Sequence, residues 1–224
     1  GCFEKYGQYL DWAMVLLIPF EPWPSSFVLE AARKHDVKII TRVVDYGGIF
    51  HDDVKPGHPL PRTDHRSFRG AGWVEAACEK LEKTRPIAKK HNLTMLQLAC
   101  QWDLSHEPVQ SVVPTLIQES GKDAKSIEAK LDDLAALPKE LKLSKEEGAE
   151  IRKIGDNTNC MQLKGSALQY QGPEQADQWP MSEEILETAR RWKVEPDRDL
   201  HYKEDPRDLR EKGMDDKEAI KRAD

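Results

Sequence analysis

Three stretches of this chain read as buried β-strand, residues 13–20 (AMVLLIPF), 37–44 (VKIITRVV) and 109–113 (VQSVV), and all lie in its first half. Each is a short, largely apolar run bounded by turn formers, the pattern of a strand covered by helices on both faces. Helical periodicity fills the intervals between them. The fold class is therefore α/β with parallel strands, since parallel neighbours need a crossover and the intervening helices supply it. Three strands leave both sheet edges unpaired, so the chain reads as the later part of a larger α/β repeat. It opens on Gly1 rather than Met and enters its first strand without a glycine-rich phosphate turn, so a C-terminal fragment is expected.

The helices carry conventional signals. Pro24-Ser25-Ser26 opens FVLEAARKHD, with Val28, Leu29, Ala31 and Ala32 inward and Arg33, Lys34 and His35 complementing the dipole at its end. A long loop, DYGGIFHDDVKPGHPLPRTDHRSFRGAG, follows the second strand, and loops of that length are often lids or binding loops. Helix 73–91 turns Val74, Ala77, Leu81 and Ala88 inward, and Pro86 is expected to kink or split it. Thr94-Met-Leu-Gln97 is a capping box for a helix to Ser105 that buries Leu96, Ala99, Cys100 and Leu104. Helix 124–137 places Ile127, Leu131, Leu134 and Leu137 on one face. A second capping box, Ser144 with Glu147, opens a helix ending near Gly155. Residues 1–164 form the body, and 165–224 a polar, mainly helical and partly disordered extension. Within the extension SEEILETARRW, 182–192, reads as helix with Ser182 as its cap, whereas the final twenty residues have little to bury.

Composition excludes several classes. Basic residues number 34 and acidic ones 40, for a net charge of −6 without a basic stripe, so nucleic acid is not expected as a partner. AMVLLIPF is far too short to span a bilayer, and it is not a signal sequence either, lacking a basic start and a small-residue cleavage site. Cys2, Cys78, Cys100 and Cys160 form no CxxC pair and read as reduced, mainly core thiols of a cytoplasmic protein. Trp102 is expected in the core, and Trp179 to pin the extension. His51, Asp52, Asp53, His58, Asp64 and His65 crowd the long loop, but at no spacing that metal motifs use. An ordered, substrate-covering loop is the preferred reading. No G-x-S-x-G elbow is present.

The order of VKIITRVVDYGGIF, the long loop, RPIAKKHNLTMLQLACQWDL, PVQSVVPTLIQ, SIEAKLDDLAAL and LSKEEGAEIRKI resembles the C-terminal half of the aldo/keto reductase family, over about residues 13–155. The resemblance implies a partial (β/α)8 TIM barrel comprising the last three β/α units, with strands six, seven and eight present. The family's Asp, Tyr, Lys and His tetrad lies on earlier strands, so no catalytic residue is assigned here.

What the resemblance leaves to this chain is cofactor holding, for NADP or NAD. It places Arg42 where the family stacks a residue on nicotinamide, and Gly47 and Gly48 in the turn passing the pyrophosphate; a planar guanidinium and flexible glycines suit both tasks. After the third strand this sequence keeps Pro114 and Glu128 of the family's dinucleotide contacts, and Thr115 and Gln118 become polar candidates for either dinucleotide. Ile117 stands where the family has a basic residue and Lys130 where it has Asn, so Lys122 and Lys125 become the phosphate candidates. Trp23 and His51 are the substrate-pocket candidates. The implied function is that of an NAD(P)-dependent oxidoreductase acting on a small carbonyl or alcohol, inactive as this chain alone. The alternative is a non-catalytic half-barrel that binds or assembles, with self-association through its open sheet edges.

Overall fold

Three strands form one parallel sheet, β1 (Trp12–Val15), β2 (Lys38–Arg42) and β3 (Val109–Val113), in that order. The computed structural model describes residues 2–22, 25–61, 63–69, 72–155, 183–191 and 193. Trp23, Cys160, Trp179, Ser182 and the final twenty residues, each given a role above, lie outside them. The described residues fall into two compact units: those within 2–59 and 73–158 form one, and those within 60–72 and 159–224 the other.

The first unit carries the sheet and six helices: α1 (Cys2–Tyr6), α2 (Val28–Lys34), α3 (Trp73–Lys90), α4 (Met95–Leu104), α5 (Ile127–Ala135) and α6 (Lys145–Gly155). β3 begins and ends where the sequence placed it. β1 does not: it stops at Val15, and Leu17, Ile18 and Phe20 are buried in a turn closed by Glu21 N–H donating to the Ile18 carbonyl at 3.0 Å. Pro19 explains the break, because it brings no N–H to a ladder and fixes its own φ.

Among the described residues the sheet is covered on one face only, which corrects the expectation of two. Register pairs Trp12 with Lys38, Met14 with Ile40, and Arg42 with Val113, so these side chains share a face. On it Trp12 is 49%, Met14 57% and Val113 44% exposed, and the Lys38 ammonium lies over the Trp12 ring. The opposite face buries Ile39 and Thr41. Among the described residues no further strand pairs with either edge.

Local capping holds as read. Thr94 and Gln97 form both halves of the capping box on α4, and Ser144 and Glu147 exchange the same pair of bonds before α6. α4 is buried from Met95 to Asp103, on every side, as a helix in the middle of a core must be. Trp102 is buried and donates to the Gly148 carbonyl at 2.9 Å. α3 runs through Pro86 without splitting, since buried residues on either side, Leu81 and Thr84 before it, Ile87 and Ala88 after, hold both halves in one packing. α5 departs most from its amphipathic pattern. Leu131 is 45% exposed, and the residue buried is Lys130.

In the second unit, Asp64 caps a short 3-10 turn over His65–Phe68 and pairs with Arg66 at 2.8 Å. The helix α7 (Glu183–Arg191) carries an ion pair between Arg190 and Glu183.

Candidate functional site

In parallel α/β folds ligands gather at the C-terminal ends of the strands, where loops are free to differ. Here those ends are Arg42 on β2 and Val113 on β3. The backbone after β2 is unusual: Val43 has φ 60°, Tyr46 φ 55°, Gly47 φ 62° and Gly48 φ 98°. Left-handed conformation suits the two glycines, whereas a β-branched valine adopts it only under constraint. The constraint is visible. Val43 N–H donates to the Val113 carbonyl at 2.8 Å, and Tyr46 N–H to the Val43 carbonyl at 2.9 Å. Tyr46 then packs edge-on against Phe20 and Trp73, and Phe20 against Phe50, which anchors the turn in an aromatic core.

Asp45 organises this turn. Its carboxyl is fully buried and accepts from Gly48 N–H at 2.6 Å on one oxygen and from Thr115 N–H at 2.5 Å on the other. Burial raises its pKa; those two N–H bonds and the nearby His51 oppose the rise without cancelling it. His51 Nε2 meets the Thr115 carbonyl at 2.8 Å; a carbonyl only accepts, so this nitrogen carries the proton. Thr115 is thereby clamped through both its N–H and its C=O. His51 is buried, and its Nδ1 has no partner among the described residues.

The same two loops are tied again a few residues on. Lys125 donates its ammonium to the His51 carbonyl and its N–H to Asp53. Asp53 pairs with Lys130 at 2.7 Å, both side chains at 0% exposure, and Lys130 also reaches the Ile117 carbonyl at 2.6 Å. His58 meets Glu119 at 3.0 Å in a further buried pair. Asp52 goes instead to Arg85 on α3, which grips it through both carboxylate oxygens, and to Lys55. Burial would raise the Asp52 pKa, but Arg85 and Lys55 hold it below its usual value. The His and Asp residues of the long loop thus have separate partners, and among the described residues no three such groups converge on a metal-sized site.

Of the cofactor candidates, the structure brings Gly47, Gly48, Pro114, Thr115 and Lys125 together, but Gly48, Thr115 and Lys125 are committed to protein acceptors. Gln118 is exposed and donates to the carbonyls of Glu119 and Lys125 at 3.3 Å. Glu128 is exposed in the first turn of α5, where its own N–H and the Ser126 hydroxyl lower its pKa. Arg42 and Lys122 are exposed, and neither side chain has a hydrogen bond or ion pair among the described residues. The sequence reading missed Asp45 and Glu119, and weighed Asp53 only as one member of the loop's His and Asp cluster, not as the partner of Lys130. Asp45 had a signal, an Asp three residues before a glycine in a turn, since such side chains bond nearby backbone.

Two of the cavities in this unit touch the long loop after β2. One of about 600 Å³ has Val54, Pro56, Cys78 and Leu81 among its walls and includes none of the cofactor candidates. The Cys78 thiol is pushed up to about 11 by burial, so it is not a nucleophile at neutral pH. The other, of about 220 Å³, includes Lys125 with Arg85, Asp52 and Asp133.

Comparison with known proteins fits this architecture. The family model for the aldo/keto reductase family matches residues 8–156, and the chain belongs to that family. Among solved structures, the glycerol dehydrogenase AKR11B4 from Gluconobacter oxydans superposes with a TM-score of 0.53 at 16% identity, over 76% of this chain. This chain spans 46% of that protein's length, so the likeness concerns the fold. No curated protein matches. Among the described residues no helix is long and apolar enough to cross a membrane.

Family members bind a nicotinamide dinucleotide, and the residues here fit it unevenly. The Arg42 side chain is exposed at the open face and has no partner among the described residues. The strand-end N–H groups of Gly48 and Thr115, the donors a phosphate would need, do not fit, because a carboxyl of the chain itself already takes both.

Proposed function

We propose that this chain supplies the C-terminal share, strands six to eight, of an aldo/keto reductase-like oxidoreductase that acts on a small carbonyl or alcohol with NADP or NAD as hydride partner. One observation carries the reading: among the described residues, a parallel sheet with one face open and, at the C-terminal end of its central strand, an Arg42 side chain without a partner. In a (β/α)8 barrel every strand turns one face inward and the chemistry sits at the C-terminal rim. Trp12, Met14, Ile40 and Val113 would then belong to the barrel interior. Proton donation to a carbonyl oxygen requires a positioned acid. The family's tetrad falls on strands that this reading places outside the chain, so the chain alone is inactive. Incubation with NADPH or NADH and a broad aldehyde panel is expected to give no turnover; rates comparable to a complete enzyme would overturn the proposal.

The same open face supports a second reading, a half-barrel that associates with a complementary half or a second copy. Light scattering separates the two, because a monomer with no tendency to associate counts against assembly.

A further inference from the structure

We infer that the Asp45 carboxyl permanently occupies the anion-binding position at the ends of β2 and β3, so that this turn does not grip the phosphates of a dinucleotide. That phosphates are the excluded groups rests on the oxidoreductase reading above; the geometry stands without it.

Backbone N–H groups converging from a glycine turn make an anion-binding concavity. Gly48 after β2 and Thr115 after β3 supply two such donors from different loops, and they converge on one point. At that point lies a carboxyl group from three residues upstream of Gly48, each of its oxygens taken by one donor. The group is fully buried. A phosphate arriving there would have to expel Asp45, which would then sit in the core without its donors. It would also have to compete with a group tethered beside the site, whose effective concentration far exceeds that of any free ligand. Neighbouring contacts remove the usual means of adjustment. Thr115 is held from its other side by His51, and the Lys125 ammonium, the nearest flexible cation in this network, is spent on the His51 carbonyl.

The left-handed run from Tyr46 to Gly48 gains a reason from this. It bends the chain so that Gly48 N–H faces back onto Asp45, and the strain at Val43 is held by its own N–H bond to the Val113 carbonyl, two residues before Thr115. A dinucleotide held by the assembled protein would therefore find its charge partners at the exposed Arg42 and Lys122, or on other strands, rather than in the glycine turn.

Amide spectra of the full isotope-labelled chain test the inference. With inorganic pyrophosphate or NADPH at millimolar concentration, the Gly48 and Thr115 amide resonances of the unsubstituted chain are expected to stay in place. In Asp45→Ala the two amides are expected to exchange with solvent roughly tenfold faster or more, and pyrophosphate is then expected to shift both. Displacement of either resonance in the unsubstituted chain overturns the inference, as does an Asp45→Ala chain whose two amides ignore pyrophosphate. If Asp45→Ala does not fold, Asp45→Asn, which keeps one acceptor oxygen, is expected to release one of the two amides and leave the other protected; equal protection of both overturns it. Aldehyde turnover by the chain would overturn the functional proposal and leave this inference intact. NADPH-dependent shifts at Gly48 or Thr115 would do the reverse.

Discussion

Asp53→Ala should be the most damaging single substitution at the strand ends. The Lys130 ammonium is wholly buried, 2.7 Å from Asp53, and its other contact is the Ile117 carbonyl at 2.6 Å. Removing the carboxylate leaves a buried cation facing one neutral acceptor. Breaking a buried pair from one side costs about 3–5 kcal/mol, chiefly because the remaining charge is uncompensated. Domain stabilities run to roughly 5–15 kcal/mol, so this is a large fraction of the total. With a urea m-value of ~2 kcal/mol/M, the unfolding midpoint should fall by about 1.5–2.5 M. Asp53→Leu combined with Lys130→Met removes both charges at similar volume and should restore stability to within about 1 kcal/mol of the parent, or exceed it. The assay is urea unfolding followed by circular dichroism for both singles and the double. A loss below about 1 kcal/mol in Asp53→Ala, the size of an exposed pair, would refute the reasoning; so would a double variant whose loss equals the sum of the singles.

Three further substitutions read out separate parts of the structure. Asp103 on α4 is fully buried, neither oxygen has a well-formed hydrogen bond among the described residues, and burial raises its pKa well above the usual value against only the Thr41 hydroxyl. The folded state therefore keeps a proton that the unfolded chain releases, so this group's stabilising share is full below about pH 3.8 and falls as pH rises above it. Asp103→Leu should raise stability at neutral pH by about 1–3 kcal/mol and flatten that slope in pH-dependent thermal unfolding. Glu147 is lowered to about 2 by hydrogen bonds from Lys90, from Ser144 N–H and from His91. Its contribution is present above about pH 4.5 and lost as pH falls toward 2, so Glu147→Gln should remove that part of the acid transition. At Gly155 an added Cβ would lie 2.0 Å from the Pro19 carbonyl oxygen, a backbone atom that cannot step aside alone. Gly155→Ala should destabilise by about 1–3 kcal/mol or more in the same urea assay, whereas Gly148→Ala, with open space around it, should not.

How far the sequence could be read depended on the range of the interaction. The capping boxes at Thr94 and Ser144 formed as expected because both partners lie within four residues, where spacing alone fixes geometry. β3 matched for a similar reason, its apolar run being bounded by Pro108 and Pro114. β1 was overextended because Leu17, Ile18 and Phe20 are as buried as any strand residue while their backbone turns at Pro19; apolar runs report burial, not backbone path. On α5 the pattern named Leu131 and the core took Lys130, since a cation can be buried wherever a distant carboxylate awaits it.

Alternation of strands and helices, helix starts and the apolar core were determined by the sequence itself, through periodicities and short-range hydrogen bonds that any local segment carries, and the order of its motifs already resembled the aldo/keto reductase family. Tertiary structure alone decided that one sheet face lies open, that Asp53 meets Lys130, and that Asp45 reaches Thr115 across 70 residues to close the strand-end donors on itself. Those contacts join residues with no local relation to one another. Their strength comes from exclusion of water, which exists only once the loops are packed.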